Sequence, residues 1–337
     1  MFKTHFLAKL NFKTLTKVIL SVGLLVLILT RLDMGSVVEQ LKHLDGAFWF
    51  VALCFMMMQV LALALRWQYL IEHKGRNIEY MEALQITLAS LLANYIFIAS
   101  ISGVFVRIGL TVQYGFSVVK TVCAAVIDRF LTLFALVFLA ALFLPLMSQH
   151  MADADLNNAI YKAVIIGMSL FILLSCVFAP LFFKVVVKQK IMNNRKYVSS
   201  LNYLRGLINQ PKRITKILFV SLCGQVFYFI SIYFLTIATD IHVNMLGLMT
   251  VLPAMTLVAS LPISIGGWGV REGAFIYGLG LLGVPMEAAF LISVQIGIMG
   301  MLTVMLIGMP VVISSDMVRM KKHAILAAQS SARLFDR

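Results

Sequence analysis

Leu261-Pro-Ile-Ser-Ile-Gly-Gly-Trp-Gly-Val-Arg-Glu-Gly273 is the stretch that decides the fold, because it lies in apolar sequence and yet cannot form a plain membrane helix. Pro262 lacks the backbone N–H that an interior helical position needs, and four glycines weaken the helix further. Arg271 and Glu272 then place two opposite charges inside apolar sequence. Irregular backbone and ionisable side chains persist at membrane depth only where protein or a cavity surrounds them. The stretch therefore predicts half of a lipid- or substrate-handling site.

The composition places that stretch in a polytopic membrane protein. Hydrophobic residues make up 61% of the 337 residues and charged residues only 12%, whereas soluble chains are about 25% charged. We therefore expect an all-α, polytopic membrane helix bundle that forms a single integral-membrane domain over residues 1–337. The net charge of +14 comes from Lys and Arg crowded into a few loops, so no nucleic-acid partner is predicted. Scattered histidines and cysteines predict no metal site, and we expect no cofactor.

Six apolar segments approach the length of about 20 residues that a membrane crossing needs. They are residues 15–30, 47–65, 118–146, 159–183, 217–238 and 285–313. Residues 34–45 instead place Val37, Val38, Leu41 and Leu44 on one helical face with charges opposite. That pattern predicts an amphipathic helix lying in the membrane interface rather than a crossing.

Basic loops predict the orientation of the chain. The tail at 1–17, the loop at 66–82, the basic insert at 184–216 and the C-terminal tail are rich in Lys and Arg, so we expect them, and both termini, in the cytoplasm. Arg66-Trp67 is interpreted as a charge-plus-aromatic anchor at the membrane boundary. The loops at 31–46, 147–158 and 239–243 are acidic or neutral and are expected outside. Counting crossings between these points predicts two re-entrant helical hairpins, at 83–117 from the cytoplasm and at 246–284 from outside.

The two hairpins carry a short internal repeat. Ser100-Ile101-x-Gly103-x-x-Val106-Arg107-x-Gly109 aligns without a gap with Ser264-Ile265-x-Gly267-x-x-Val270-Arg271-x-Gly273, and six of the ten positions are identical. Each copy is followed by a helix start, at Gly115-Phe116-Ser117 and at Gly283-Val284-Pro285. Broken segments from opposed copies that meet near the midplane are typical of secondary transporters. The repeat and the crossing count together predict an inverted repeat.

The residues at the two tips favour an anionic ligand. Broken helices expose backbone N–H groups, and an arginine beside each break adds a planar, permanently charged group suited to phosphate. Two tips that face each other would form a positive pocket between apolar walls, which fits a lipid headgroup whose tails stay in the bilayer. The predicted ligand-binding residues are Gly103, Arg107, Asp128, Arg129, Gly267, Trp268, Gly269, Arg271 and Glu272.

A purely structural interpretation of these residues stays open. Arg271 can pair with Glu272 or with Asp128 only to fix helix packing. Asp128 and Arg129 can pair locally, or Arg129 can reach the cytoplasmic interface. Trp268 can stack on a ligand or serve as an aromatic packing residue.

Two groups of motifs are typical of a known membrane-protein family. One is Pro262…Gly266-Gly267-x-Gly269-x-Arg271-Glu272 with Gly283-Val284-Pro285, and the other comprises Arg66-Trp67, Asn94, Gly103, Arg107, Gly115-Phe116-Ser117 and Asp128-Arg129. Over nearly the whole chain, they resemble the motifs of the lysylphosphatidylglycerol synthase transmembrane (flippase-like) family. The resemblance implies a bacterial inner-membrane protein akin to the half of the full-length synthase that moves aminoacylated phosphatidylglycerol between leaflets.

Two departures from the family pattern shape the expected function. Only 21 residues follow Asp316, so we expect the aminoacyltransferase domain to be absent and the chain not to be an enzyme that makes lysyl-lipid. Ile98-Ala99-Ser100 stands where the family has a Pro-Gly loop, which predicts a less sharply broken first tip.

We therefore expect a lipid flippase that passes a phospholipid or a polyprenyl-phosphate lipid between leaflets. The alternative is a membrane-embedded enzyme, or an accessory subunit of a lipid or glycan synthesis pathway that binds a synthase or a glycosyltransferase. A homo-oligomer is possible in either case. An enzyme would have only Asp128 and Glu272 as its acid and base.

Overall fold

The chain is helical throughout the part that the computed structural model describes, which is residues 28–72, 78–96, 102–148, 162, 203, 206–207, 209–260 and 268–335. Within these residues it forms nine α-helices and no β-strand. The helices are α1 (Met34–Lys42), α2 (Gly46–Ile71), α3 (Tyr80–Ile96), α4 (Ser102–Gln113), α5 (Val118–Ser148), α6 (Pro211–Ala238), α7 (Met245–Ala259), α8 (Val270–Gly280) and α9 (Met286–Phe335). The all-α expectation is confirmed.

Four of these helices are long and apolar enough to cross a membrane: α2, α5, α6 and the part of α9 from Met286 to Val311. They coincide with four of the six predicted crossings. The other two, at 15–30 and 159–183, lie largely outside the described residues, as does most of the basic insert at 184–216. The fold is therefore a polytopic helical membrane bundle, as the composition predicts.

The remaining helices of the bundle are too short to cross alone, and they pair with each other. Helices α4 and α8 have 12 and 11 residues, or about 18 and 17 Å at 1.5 Å per residue, against about 30 Å of hydrocarbon. Helix α4 runs antiparallel to α3, because Ser102 Oγ donates to the Ala93 carbonyl at 2.8 Å and Tyr114 Oη donates to Gln85 Oε1 at 3.0 Å. Helices α7 and α8 also pack together. Their insertion into the membrane as re-entrant hairpins stays a prediction.

Each short helix, α4 and α8, is joined to a long spanning helix by the same kind of turn. Gly115 and Gly283 have φ angles of +86° and +79°, in the left-handed region that favours glycine. Each stands three residues before the first residue of the next helix, α5 at Val118 or α9 at Met286. The pattern of short helix, left-handed glycine and long helix thus occurs twice in the chain.

Helix α1 is amphipathic, although it ends at Lys42 rather than at residue 45. The Asp33 carboxylate caps it by accepting from Ser36 Oγ at 2.8 Å and Gly35 N at 2.9 Å. These hydrogen bonds, that from Ser36 first, hold the pKa of the Asp33 carboxyl below its usual value. Val37 is buried, whereas Val38 and Leu41 are about half exposed. Placement of α1 in the membrane interface stays a prediction.

The scaffold that positions the site is the close packing of α2 on α6. Ser231 Oγ on α6 donates to the Ala52 carbonyl on α2 at 2.7 Å, and a Cβ on Gly224 would lie 3.6 Å from the Ala62 methyl group. Small residues let two membrane helices approach this closely. Helices α3, α5 and α9 also pack against α2, so the side chains of α2 face several partners at once.

Candidate functional site

The first arginine centre lies where α2, α4 and α5 meet. Asp128 on α5 forms ion pairs with two arginines: its Oδ1 lies 2.7 Å from Arg66 Nε on α2, and its Oδ2 accepts from Arg107 Nη1 on α4 at 3.0 Å. The Arg107 guanidinium also stacks on Trp67, with 4.9 Å between Arg107 Cζ and the ring centroid. All four residues are buried, with 0–8% of their surface exposed. The centre therefore holds two guanidiniums against one carboxylate in an apolar bundle.

The structure corrects two predictions about this centre. Arg66-Trp67 is not a boundary anchor, because α2 continues to Ile71 and both side chains are buried. Arg107 is not beside the break, because α4 begins at Ser102 and Arg107 is its sixth residue. Arg129, next to Asp128 in sequence, is exposed, and its positive charge acts on Asp128.

Gly103, another predicted ligand-binding residue, holds α4 against α3. Its N–H donates to Asn94 Oδ1 at 2.9 Å, so an amide of α3 caps the start of α4. A Cβ at this position would overlap both the Ser90 carbonyl and the Asn94 side chain. Packing therefore explains the glycine, and the N-terminal end of α4 already has a protein acceptor.

The second arginine centre lies at the start of α8 and faces α9. Arg271 Nη2 donates to Glu272 Oε1 at 2.7 Å, and Arg271 Nε lies 3.1 Å from the same oxygen and 3.3 Å from Ser293 Oγ on α9. The Arg271 guanidinium stacks on Trp268, with 4.9 Å from Cζ to the ring centroid. Glu272 is fully buried, whereas Trp268 is 39% exposed. One face of this centre is therefore open.

Glu272 also fills the N-terminal end of α8. Its Oε2 accepts from the Gly269 N–H at 2.5 Å, where the helix dipole favours a negative charge. Gly269 itself has a φ of +85°, a backbone conformation that few residues other than glycine adopt. The Glu272 carboxylate therefore already takes the Gly269 N–H, and capture of a ligand anion by the N-terminal N–H groups of α8 stays a prediction. Gly267 lies outside the described residues.

Helix α9 brings the second centre next to the end of α3. A Cβ on Gly297 would lie only 2.7 Å from Arg271 Nη2, and a Cβ on Gly300 would overlap the Tyr95 hydroxyl. These glycines are three residues apart and thus lie on one face of α9. Arg271 is within electrostatic range of the Tyr95 hydroxyl and also of that of Tyr228 on α6. The tip of the first helical pair thus reaches the arginine of the second.

The structure therefore separates the predicted site residues into two groups. Arg107 and Asp128 belong to the first centre, and Trp268, Gly269, Arg271 and Glu272 to the second. Sequence reasoning missed Arg66, Trp67, Tyr95, Ser293 and Gly297 as members of the site. An arginine five residues before the end of a 26-residue apolar helix was a usable signal for Arg66, because full burial of arginine normally requires a partner. Gly297 and Tyr95 gave no local signal.

Comparison with known proteins identifies the family. The family model for the lysylphosphatidylglycerol synthase TM region matches residues 14–308. The chain belongs to this family. No curated protein matches its sequence. Both arginine centres of this lysylphosphatidylglycerol synthase TM region lie inside the matched residues. Membership, together with the four spanning helices, makes the chain a multi-pass membrane protein of a family related to lipid handling.

Proposed function

We propose that this protein moves a lipid with an anionic or phosphate headgroup between the two leaflets of a bacterial inner membrane. The observation that carries the proposal is that Arg271 lies within electrostatic range of Tyr95, at the end of α3. The two side chains pack against Gly297 and Gly300, which lie on one face of α9. A half-exposed Trp268 and a guanidinium offer a stacking surface and a charge to a headgroup. The apolar outer faces of the spanning helices can hold the lipid tails.

The two short helical pairs, α3–α4 and α7–α8, are the elements that we propose form re-entrant hairpins of opposite orientation. Helices of 11 and 12 residues that each precede a left-handed glycine and a long helix support an inverted repeat. In such a repeat the broken segments meet near the midplane, where a headgroup has to be passed across. Cytoplasmic termini follow from the basic tails.

An enzymatic role is the less favoured alternative. Asp128 and Glu272, the two carboxylates considered for acid–base chemistry, each accept from arginine. These contacts occupy the carboxylate oxygens that would have to exchange a proton with a substrate. This arrangement favours binding and charge balance over proton transfer.

The test is lipid translocation by the purified chain in liposomes that contain fluorescent phosphatidylglycerol or phosphatidylcholine. We expect the wild type to expose phosphatidylglycerol from the inner leaflet to a membrane-impermeant quencher. We expect Arg271→Ala and Arg107→Ala to lose at least about tenfold of that rate, which corresponds to ~1.4 kcal/mol. Arg31→Gln, a change at an exposed arginine outside both centres, is the matched control.

Full translocation by both alanine variants would refute the site assignment, and a wild-type rate equal to that of empty liposomes would refute transport of this lipid. Two further readouts address the alternatives. A new lipid product, detected by mass spectrometry, would indicate an enzyme. Co-purification with a synthase or a glycosyltransferase, without translocation, would indicate an accessory subunit.

A further inference from the structure

The first arginine centre has more hydrogen-bond donors than acceptors. Arg66 Nη1, Trp67 Nε1 and Arg107 Nε are all buried, and none has a hydrogen-bond partner in the part of the chain that the structure describes. Buried N–H groups in native proteins are almost always paired, because an unpaired one costs its full desolvation free energy. Three in one centre thus point to an acceptor that the described part of the chain does not supply.

The charge of the centre specifies the acceptor further. Among the described residues, two buried guanidiniums face one buried carboxylate, which leaves one positive charge without a counter-ion there, and the exposed Arg129 adds to the positive potential. A single positive charge inside an apolar bundle is unfavourable without a counter-ion. A group with one negative charge and at least two acceptor oxygens would balance the charge and accept from the three donors.

We infer that Arg66, Trp67 and Arg107 form a second anion-binding site, separate from the Arg271 centre, whose occupant is a phosphate group that carries one negative charge. The inference rests on the proposed function, because it assigns the phosphodiester of the transported lipid to this site. It goes further by giving ligand-binding roles to Arg66 and Trp67, and by placing a second binding site for the headgroup beside α2 and α5. Arg129 and Phe130, the two residues that follow Asp128, are exposed on α5, so the outer surface of the bundle begins one residue from the centre.

The experiment measures binding rather than translocation, so that it can fail independently of the proposed function. The full chain in detergent is titrated with dihexanoyl-phosphatidylglycerol, dihexanoyl-phosphatidylcholine or inorganic phosphate at constant ionic strength, and the unfolding temperature is recorded. We expect phosphatidylglycerol to raise the unfolding temperature at lower concentrations than phosphatidylcholine, whose phosphodiester carries the same charge but whose trimethylammonium group is repelled by the positive centre. We expect Arg66→Gln to increase the half-saturating concentration of phosphatidylglycerol about tenfold.

Two further variants separate a binding site from a merely structural cluster. Trp67→Phe keeps the ring and the ion pairs but removes one donor, and we expect it to weaken phosphatidylglycerol binding several-fold. Asp128→Asn removes the competing negative charge, so phosphatidylglycerol binding should persist or tighten although the fold is less stable. Arg31→Gln is the control.

An identical half-saturating concentration in the wild type, Arg66→Gln and Trp67→Phe would overturn the inference, even if all variants were less stable. An equal effect of inorganic phosphate alone, lost in Arg66→Gln, would support the anion site and identify free phosphate as its occupant. Translocation that survives in Arg66→Gln together with unchanged lipid binding would refute this site and leave the proposed function standing.

Discussion

Arg107 and Arg271 occupy matching positions of the internal repeat and make the same two kinds of contact, but with partners of different origin. Each has a carboxylate oxygen within 3.0 Å of a guanidinium nitrogen and a tryptophan ring 4.9 Å from Cζ. For Arg107 the partners come from other helices, Asp128 on α5 and Trp67 on α2. For Arg271 they are its neighbours in sequence, Glu272 and Trp268. The same local chemistry is thus built once by the bundle and once by a single turn of chain.

The difference determines what each centre can do. The first centre joins three helices and is buried, so its ion pairs also hold the bundle together. The second is neutral, since one arginine faces one glutamate, and it opens to one side through Trp268. We therefore expect changes in the first centre to lower both stability and transport, and changes in the second to act mainly on transport.

The largest expected effect is that of Asp128→Ala. It would leave Arg66 and Arg107 buried without a counter-ion, and breaking a buried pair in this way costs about 3–5 kcal/mol. We expect a strongly lowered unfolding temperature in detergent. Hydrogen exchange should become faster in α2, α4 and α5 together, because Asp128 links all three helices.

The control for this change is Asp240→Asn. Asp240 is fully outside the centre, with a side chain 89% exposed, and its φ of +56° is one that asparagine tolerates. Equal loss of stability in the two variants would contradict the view that the first centre joins the bundle.

Glu272→Gln comes next, with an expected loss of about 1.5–3 kcal/mol, the range for hydrogen bonds to charged groups. The glutamine amide carries no negative charge, so the Arg271 guanidinium loses its counter-ion. Asp128→Ala, in contrast, leaves two guanidiniums without one. Hydrogen exchange should change only near the start of α8, and transport should change more than stability does. Faster exchange in α2 or α5 would show that the second centre is not local.

The sequence predicted the parts of the fold that depend on local pattern. Apolar length located α2, α5, α6 and the spanning part of α9, and glycine and proline signals located the starts of α5 and α9. It could not predict that α2 continues past Arg66-Trp67 with both side chains buried. A charged residue followed by an aromatic one gives the same sequence pattern whether lipid headgroups or other helices surround it. Only the packing of α4 and α5 against α2 distinguishes the two cases.

The same limit applies to the site. Arg271, Glu272 and Trp268 were predicted as one group because their contacts are nearly all local in sequence. Asp128 was predicted as a site residue, but its pairing with Arg66 spans 62 positions of the sequence and depends on three-helix packing. Gly297 was not predicted, since its role is to leave room for a guanidinium from another helix.

Gly297→Ala tests whether the Arg271 guanidinium needs the space beside Gly297. We expect the free energy of unfolding to fall by about 1–2 kcal/mol because of overpacking. The new methyl group would lie 2.7 Å from Arg271 Nη2 and 2.9 Å from Nη1, so the guanidinium would have to leave its place on Trp268. The translocation rate should fall, whereas the first centre should remain intact.

Gly273→Ala is the matched control, because a Cβ there has no neighbour within 4 Å in the part of the molecule that the structure describes. Alanine at an interior helical position should be neutral or slightly stabilising. A loss of translocation as large in Gly273→Ala as in Gly297→Ala would show that helix stiffness, rather than the place of Arg271, limits transport.

Trp268→Phe has the smallest expected effect and distinguishes two roles of the open centre. Phenylalanine keeps an aromatic face for Arg271 but attracts a cation less strongly, so the change at this partly exposed position should cost about 0.5–1 kcal/mol, or roughly two- to fivefold in translocation rate. Trp67→Phe should reduce stability more, because Trp67 is fully buried and the smaller ring leaves a cavity. If Trp268→Phe instead lowered translocation further than Arg271→Ala, the indole would have to contact the headgroup itself. Trp268 would then be a ligand-binding residue in its own right, because support of the Arg271 guanidinium alone cannot account for more than the guanidinium contributes.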